Sequence, residues 1–281
     1  MEIMTEKIPA IVNTQWLNAS LNRPDIVVLD ATWYTPDSEN DAEMEFREAH
    51  IPGAQFFDIP TFSDQQTDLP NMLPPTEQFE KQATALGITN SDYIVVYDSQ
   101  GIFSAPRVWW MFRYFGHDRI SVLDGGLPAW LSQNLPTKGG LGKPKKQGGF
   151  TAKIRPELLK SYADMEKNIS TKSDQVIDMR SRERFDGVTP EPWPSPLKGH
   201  IQGSKNWHYK NLLQHNSKIK SIEVLKNDIT QMGVKLDKPI VTTCGSGISA
   251  CVGALALYEM GAADVAVYDG SWAEWSKKHK P

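Results

Sequence analysis

The sequence sets a thiol between a β-branched run and a loop of small residues, Pro239-Ile-Val-Thr-Thr-Cys244-Gly-Ser-Gly-Ile-Ser-Ala250. A cysteine leaving a buried strand must turn at once into the next element. Gly245 and Gly247 permit the backbone angles such a turn requires. Small side chains let the amides of residues 245–250 converge on the sulfur, and the helix expected next points its positive end there. Both effects favour thiolate over thiol. A persulfide, also an anion, would be held by the same amides. The competing reading is a buried structural cysteine, a common core residue. A Cys-x5-Arg phosphatase loop is excluded, because Ala250 stands where the arginine would clamp a phosphate.

The other cysteine, Cys251, lies seven residues on, roughly two helical turns away and too far for a disulfide, and is expected to pack rather than react. Neither cysteine falls in a CxxC or Cys/His pattern, so no metal site is expected. Free thiols fit a reducing compartment, with the cytoplasm as default.

These residues need a scaffold, and the chain supplies it twice. "VVLDAT", "EAHIPGAQFFD", "DYIVVYDSQGIFSAP" and "ISVLDGGLPAW" in the first half match "QVIDMR", "KGHIQGSKNW", "KPIVTTCGSGISA" and "VAVYDGSWAEW" in the second. The paired landmarks Asp30/Asp178, His50/His200, Asp98/Cys244 and Asp124/Asp269 keep their order and stay about 145–150 residues apart, a domain-sized period that marks an internal duplication rather than a solenoid. The Gly/Lys/Pro-rich stretch around residues 138–149 cannot bury a core and reads as the linker between domains at 1–137 and 150–281. Its lysines read as solvated. "QVIDM", "PIVTT" and "VAVYD" read as fully buried strands, and "ISACVGALALYEMG" as a helix stopped by Gly261. Strands alternating with helices predict an α/β fold whose mostly parallel sheets bind ligands beyond their carboxyl ends. Cys244 falls there, and in the first half Asp98 takes its place.

Length and composition agree. The 281 residues suit two ordinary domains, and 40 % apolar with 23 % charged content describes a globular chain. A net charge of −4 gives no footprint for nucleic acid or an anionic membrane. No apolar run approaches a membrane span, and the first twenty residues show no secretory pattern.

"FREAHIPGAQFF" at 46–57 and "VAVYDGSWAEW" at 265–275 resemble the two signatures of the two-domain rhodanese family of sulfurtransferases, and the likeness extends over nearly the whole chain, through "MLPPTEQF" and "FSAPRVWWMFRYFGH". "CGSGIS" is similar to the active loop of its 3-mercaptopyruvate type; the thiosulfate type carries Cys-Arg-Lys-Gly. The resemblance implies two tandem rhodanese-like domains, each a mostly parallel sheet flanked by helices, with catalysis in the second. It implies that Cys244 takes sulfur from a small anionic donor as a persulfide and passes it to a thiol or cyanide, without a metal or organic cofactor. Thiosulfate as donor, or a persulfide-carrying or docking protein without turnover, is the alternative, and a thioredoxin-like reductant joins the implied partners. In this reading Cys244 and Ser246 are catalytic. Gly245, Gly247, Ile248, Ser249 and Trp193 line the substrate, and Arg184 orients it. The family pattern is not followed throughout: Trp193 in "PEPWP" replaces a second arginine, Asn71 a histidine and Pro60 an acid. An indole offers one donor and no charge, and neither Pro nor Asn is a general base. His50 and His200 are expected to fix duplicated turns, and Trp109, Trp110, Trp272 and Trp275 to pack core and domain interface.

Overall fold

The computed structural model describes residues 8–279. The part of the leader reading that rests on residues 1–7 lies outside them. Two five-stranded sheets are present, and every strand pair in both is parallel. The first contains β1 (Ile11–Val12), β2 (Ile26–Asp30), β3 (Ala54–Phe56), β4 (Tyr93–Tyr97) and β5 (Ile120–Leu123), in the order β1-β5-β4-β2-β3. The second contains β6 (Leu159–Lys160), β7 (Gln175–Asp178), β8 (Lys205–Asn206), β9 (Ile240–Thr243) and β10 (Val265–Tyr268), in the order β6-β10-β9-β7-β8. The two orders are the same, so the duplication read from the sequence is one of topology. β2 and β4 are buried at all five positions, which explains their uninterrupted apolar runs.

The two halves meet through the helices that follow β4 and β9, Ala105–Tyr114 and Ile248–Glu259. The second is apolar on every side and buried from Ile248 to Leu257, as a helix enclosed by protein must be. One apolar cluster joins Trp109 and Phe112 to Val252 and Leu255, so the core is continuous across the interface. Trp109, Trp110, Trp272 and Trp275 are all nearly or fully buried. Helix Ile248–Glu259 ends as expected, with Gly261 at φ +82°. Cys244 lies in the loop before that helix and not on it, so the two cysteines do not share a helical face; both are free thiols.

The interface is nearly symmetric. The Leu73 N–H of the first half donates to Asp269 Oδ2 of the second at 2.7 Å. The Ile219 N–H of the second half donates to Asp124 Oδ1 of the first at 2.9 Å. Just ahead of each donor stands a residue with left-handed backbone, Asn71 at φ 59° and Ser217 at φ 61°. Each half thus extends an arm over the other half's strand-end loop, as in an isologous dimer. Gly101, in the first-half loop, must lack a side chain because a Cβ would lie 2.2 Å from the Ser217 Cβ.

The duplicated turns are built alike. His50 Nδ1 pairs with Phe46 O at 2.7 Å and its ring stacks on Phe46 at 4.1 Å. His200 Nδ1 pairs with Phe185 O at 3.0 Å and stacks on Phe185 at 3.8 Å. Residues 138–149 run against the first sheet's surroundings: Lys138 pairs with His50, Lys146 with Asp92, and Gly148 abuts Thr84. Lys145 also donates to Leu21 O at 3.1 Å, so the Lys145 and Lys146 side chains are tied down rather than merely solvated. No helix among the described residues is long and apolar enough to cross a membrane. His50→Ala should lower stability by about 1 kcal/mol, the worth of a lost buried hydrogen bond, and His200→Ala, at an exposed position, by less; denaturant midpoints check this, and an unchanged midpoint for His50→Ala would contradict the anchoring role.

Candidate active site

Because all strands of the second sheet are parallel, their carboxyl ends share one edge, and the loops there open into a cleft of about 470 Å³ facing the first half. The loop after β9 contributes Cys244, Gly245, Ser246, Ile248 and Ser249, and the segment after β7 contributes Arg184 and Trp193. His208 and Tyr209 follow β8. Trp33, Tyr34 and Phe103 close the cleft from the first half. Seven of the eight residues expected from the sequence line this cleft; the eighth, Gly247, lies beneath the loop. A larger adjoining hollow of about 920 Å³ shares Phe103, Tyr209 and Lys210 as a common wall but contains no cysteine.

Cys244 is 2 % exposed. Its N–H donates to Ser271 Oγ at 3.1 Å, and the same hydroxyl lies 4.0 Å from Sγ and 2.9 Å from Tyr268 O. Ser271 holds φ +49°, a left-handed backbone that is costly for a residue with a side chain. The Trp272 and Ala273 amides, at the start of helix Ser271–Lys278, donate to Cys244 O and Gly245 O, both at 2.9 Å. The motif "YDGSWAEW" therefore holds the cysteine loop from behind. Ser271 was given no role by sequence reasoning, although it lies within a quoted motif.

The twin loop shows what such a turn can bind. Asp98 is fully buried, and its Oδ2 accepts the amides of Phe103, Ser104 and Ala105 at 2.9, 3.0 and 2.9 Å, while Oδ1 accepts Gln100 N–H at 2.9 Å. Burial pushes this carboxyl above its usual range, and the four amides work against that shift. The Leu127 N–H holds Asp98 O at 3.0 Å, as Trp272 holds Cys244 O. The convergent amides expected around sulfur are thus visible around a carboxylate; at Cys244 itself the recorded partner of Sγ is the Ser271 hydroxyl.

Beneath the loop lies Arg107, fully buried and reaching in from the first half. Its Nη1 meets Asp269 Oδ1 at 2.5 Å and Gly247 O at 3.4 Å, and its Nη2 donates to Asn71 O. Burial is the largest influence and works against its charge, yet the Asp269 carboxylate and the neighbouring Cys251 together hold the guanidinium above its ordinary pKa. Gly247 sits at φ +81°, and a Cβ there would meet Asp269 O at 2.9 Å and Arg107 Nη1 at 3.0 Å. Cys251 packs on the same point, its Sγ against Gly247 O at 3.2 Å, and burial drives its pKa far up. It is an inert thiol.

Arg184 enters the cleft beside Glu191, which accepts its Nε at 3.2 Å and also its Nη2. Glu191 further accepts Arg180 Nη1 at 2.8 Å, while the buried Arg180 grips Asp178. A Cβ at residue 245 would lie 2.3 Å from Arg184 Nη2; glycine there is what lets the guanidinium lie against the cysteine loop. Trp193 stacks on Trp33 of the first half, rings 6.3 Å apart and 11° from parallel. Asn71 Nδ2 donates to Ser246 Oγ at 3.1 Å, so this position does face the loop serine. Pro60 is exposed and lines, with Asp58, an adjoining hollow that shares Trp33, Tyr34 and Thr35 with this cleft but does not include Cys244.

The rhodanese-like domain family matches residues 13–133 and 161–278. The human 3-mercaptopyruvate sulfurtransferase is 43 % identical over 278 residues, spanning 97 % of this chain and 93 % of that one. The rat thiosulfate sulfurtransferase is 41 % identical over 279 residues, with the same shares. A 3-mercaptopyruvate sulfotransferase from Escherichia coli superposes with a TM-score of 0.86 at 35 % identity, over 94 % of this chain and 98 % of that one.

Removing one partner of the buried Arg107–Asp269 pair strands the other charge, which typically costs about 3–5 kcal/mol. Arg107→Met should lower stability on that scale in a denaturant titration. Arg107→Lys should not restore it, since one ammonium cannot reproduce a planar fork serving three acceptors. A neutral effect of either variant would contradict this account of the interface. The chain belongs to the rhodanese-like family and is a sulfurtransferase.

Proposed function

We propose that Cys244 is the nucleophile of this sulfurtransferase, taking a sulfane sulfur from a small anionic donor and holding it as a persulfide. The observation that carries this is Asp98. Its Cβ–Cγ–Oδ2 sequence has the same number of atoms as the Cβ–Sγ–Sδ of a cysteine persulfide. The first-half loop therefore contains a fixed carboxyl oxygen at the place a terminal sulfur would occupy in the second, bound by the amides of Phe103, Ser104 and Ala105, which lead into the next helix. The equivalent amides after Cys244 are those of Ser249, Ala250 and Cys251, the first two being helix-start donors without intrahelical partners. Ser271 steadies the sulfur from the other side, and Ser246 supports the loop through Asn71.

3-Mercaptopyruvate is the favoured donor. The loop itself has no cation, and Arg184, partly neutralised by Glu191, suits one carboxylate better than a dianion. In the first step the Cys244 thiolate attacks the donor sulfur, the carbon–sulfur bond breaks, and pyruvate leaves after its enolate carbon takes a proton. In the second, an acceptor thiolate or cyanide attacks the outer sulfur and regenerates the Cys244 thiolate. A dithiol reductant of thioredoxin type would release the sulfur as sulfide while becoming a disulfide. Gly245, Ile248 and Ser249 shape the floor, Gly247 turns the chain beneath it, and Trp193 with Trp33 forms an apolar wall where a second arginine would have been. Domains at 1–137 and 150–281, joined by 138–149, and a reducing compartment such as the cytoplasm complete the reading.

Cys244→Ser should abolish thiocyanate formation from 3-mercaptopyruvate and cyanide, and equal rates would exclude Cys244. Cys244→Asp should be equally inactive yet melt at a higher temperature than Cys244→Ser, because its carboxylate can fill the amide cradle as Asp98 does. Trp193→Arg should raise kcat/KM for 3-mercaptopyruvate about tenfold or more, the worth of one charge-assisted hydrogen bond. No gain would mean that this wall does not contact the donor carboxylate.

A further inference from the structure

The step proposed for Cys244 moves a proton as well as a sulfur. The donor thiol must lose its hydrogen, and the pyruvate enolate must gain one. Asn71, which faces Ser246, cannot carry it, and Pro60 lies elsewhere. We propose that His208 is the proton-transfer residue of this cleft, taking the proton from the donor's S–H and returning it to the enolate carbon. This rests on the reading of Cys244 as the sulfur acceptor.

Position is the first ground. β8 and β9 flank β7, so the residues that follow them leave the same sheet edge about 10 Å apart, two strand spacings, a gap that a small substrate between their side chains can bridge. His208 and Cys244 line the same cleft. Availability is the second. Of the six histidines, His50 and His200 are fixed in the duplicated turns, and His117 is buried against Arg119 O. His279 stacks on Trp275, and His215 lines the adjoining hollow. His208 is half-buried, meets Tyr209 edge-on at 5.0 Å, and spends neither ring nitrogen on a protein hydrogen bond among the described residues.

Elimination is the third ground. Tyr34 and Tyr209 share the cleft, but burial pushes both to about 12. Arg180 and Arg184 remain guanidinium ions, and Lys210 points a flexible ammonium from the rim. The charges that act on His208 are Lys210 on its own segment and Glu183 and Arg184 on the short helix Arg182–Phe185; across the cleft the first half presents the Tyr34 hydroxyl, and the loop presents Cys244. Burial first, then Lys210, lowers the imidazole pKa below its ordinary 6.5, against the pull of Glu183. The ring is therefore neutral at pH 7, the form that accepts a proton, and it loses that capacity only on the acid side of 6.5, as pH falls through its lowered pKa.

The balance closes. The Cys244 thiolate supplies the electron pair of the new S–S bond. The C–S pair passes to carbon as the enolate. The S–H proton goes to the His208 ring nitrogen, leaving the outer sulfur anionic, and then from that nitrogen to carbon, giving pyruvate. Thiosulfate carries no thiol proton, and its sulfite leaves as the dianion, so that donor does not need the step.

The test measures sulfur loading of Cys244 in single turnovers, as thiocyanate released by cyanide and as the mass of one added sulfur atom. It uses both donors from neutral pH down into the acid range with wild type, His208→Gln and His208→Ala. His208→Gln should slow loading from 3-mercaptopyruvate about 100-fold or more, lose the acidic limb of that profile, and slow thiosulfate far less. Imidazole should partly restore His208→Ala. Equal losses with both donors, or loading from 3-mercaptopyruvate at the wild-type rate with the acidic limb intact, would overturn the role of His208 and leave Cys244 standing. Loading from thiosulfate alone in the wild type would do the same. Loading from neither donor would overturn the Cys244 reading itself.

Discussion

The guanidinium of Arg107 is the constraint on which the site depends. It leaves the first half, crosses the interface without exposure, and binds the Asp269 carboxylate, the Gly247 carbonyl beneath the cysteine loop and the Asn71 carbonyl of the arm above it. A charge so placed would be prohibitive alone; it is tolerated because its fork meets a carboxylate and two carbonyls in fixed positions. Those positions define the loop. Gly247 is glycine because its backbone is left-handed and because a Cβ would strike this cluster. The cleft is thus assembled by both halves, which gives a reason why the cysteine loop of one half should require a second half that has no thiol.

The symmetry of the interface sharpens that point. Leu73 and Ile219 make reciprocal bonds to Asp269 and Asp124, and Asn71 and Ser217 share an unusual backbone conformation. What breaks the symmetry is small. The residue that corresponds to Arg107 in the second half is Gly253, where a Cβ would lie 2.7 Å from Met179 Sδ. The residue that corresponds to Cys244 is Asp98, which fills its own amide cradle. One loop is closed by its own carboxylate, and the other is left with a sulfur facing a cleft.

Much of this was legible in the sequence. The duplication, the strand cores and the helix after Cys244 follow from buried runs and repeated motifs, because local pattern and topology agree in a parallel α/β sheet. The cysteine loop, Arg184 and Trp193 were likewise legible, because their motifs lie close to the residues they serve. What escaped depends on distance through space. Arg107 sits in "FSAPRVWW" with nothing nearby to announce a partner in the other half. Glu191 was quoted within "PEPWP", yet its grip on both Arg180 and Arg184 follows only from the fold. His208 follows a two-residue edge strand too short to show any period, and its place in the cleft comes from strand order. Pro60 was aligned with a site position, but its turn faces another hollow.

The central claim is that the loop after Cys244 is an amide cradle for a persulfide anion, with Asp98 as its built-in copy. A crystal structure of the protein loaded with sulfur from its donor and kept from acceptors tests this most directly. The account predicts an outer sulfur on Cys244 that accepts the Ser249, Ala250 and Cys251 amides and superposes on Asp98 Oδ2 when one half is laid on the other. An outer sulfur turned into the cleft toward Trp193, with those amides bound to water, would contradict it.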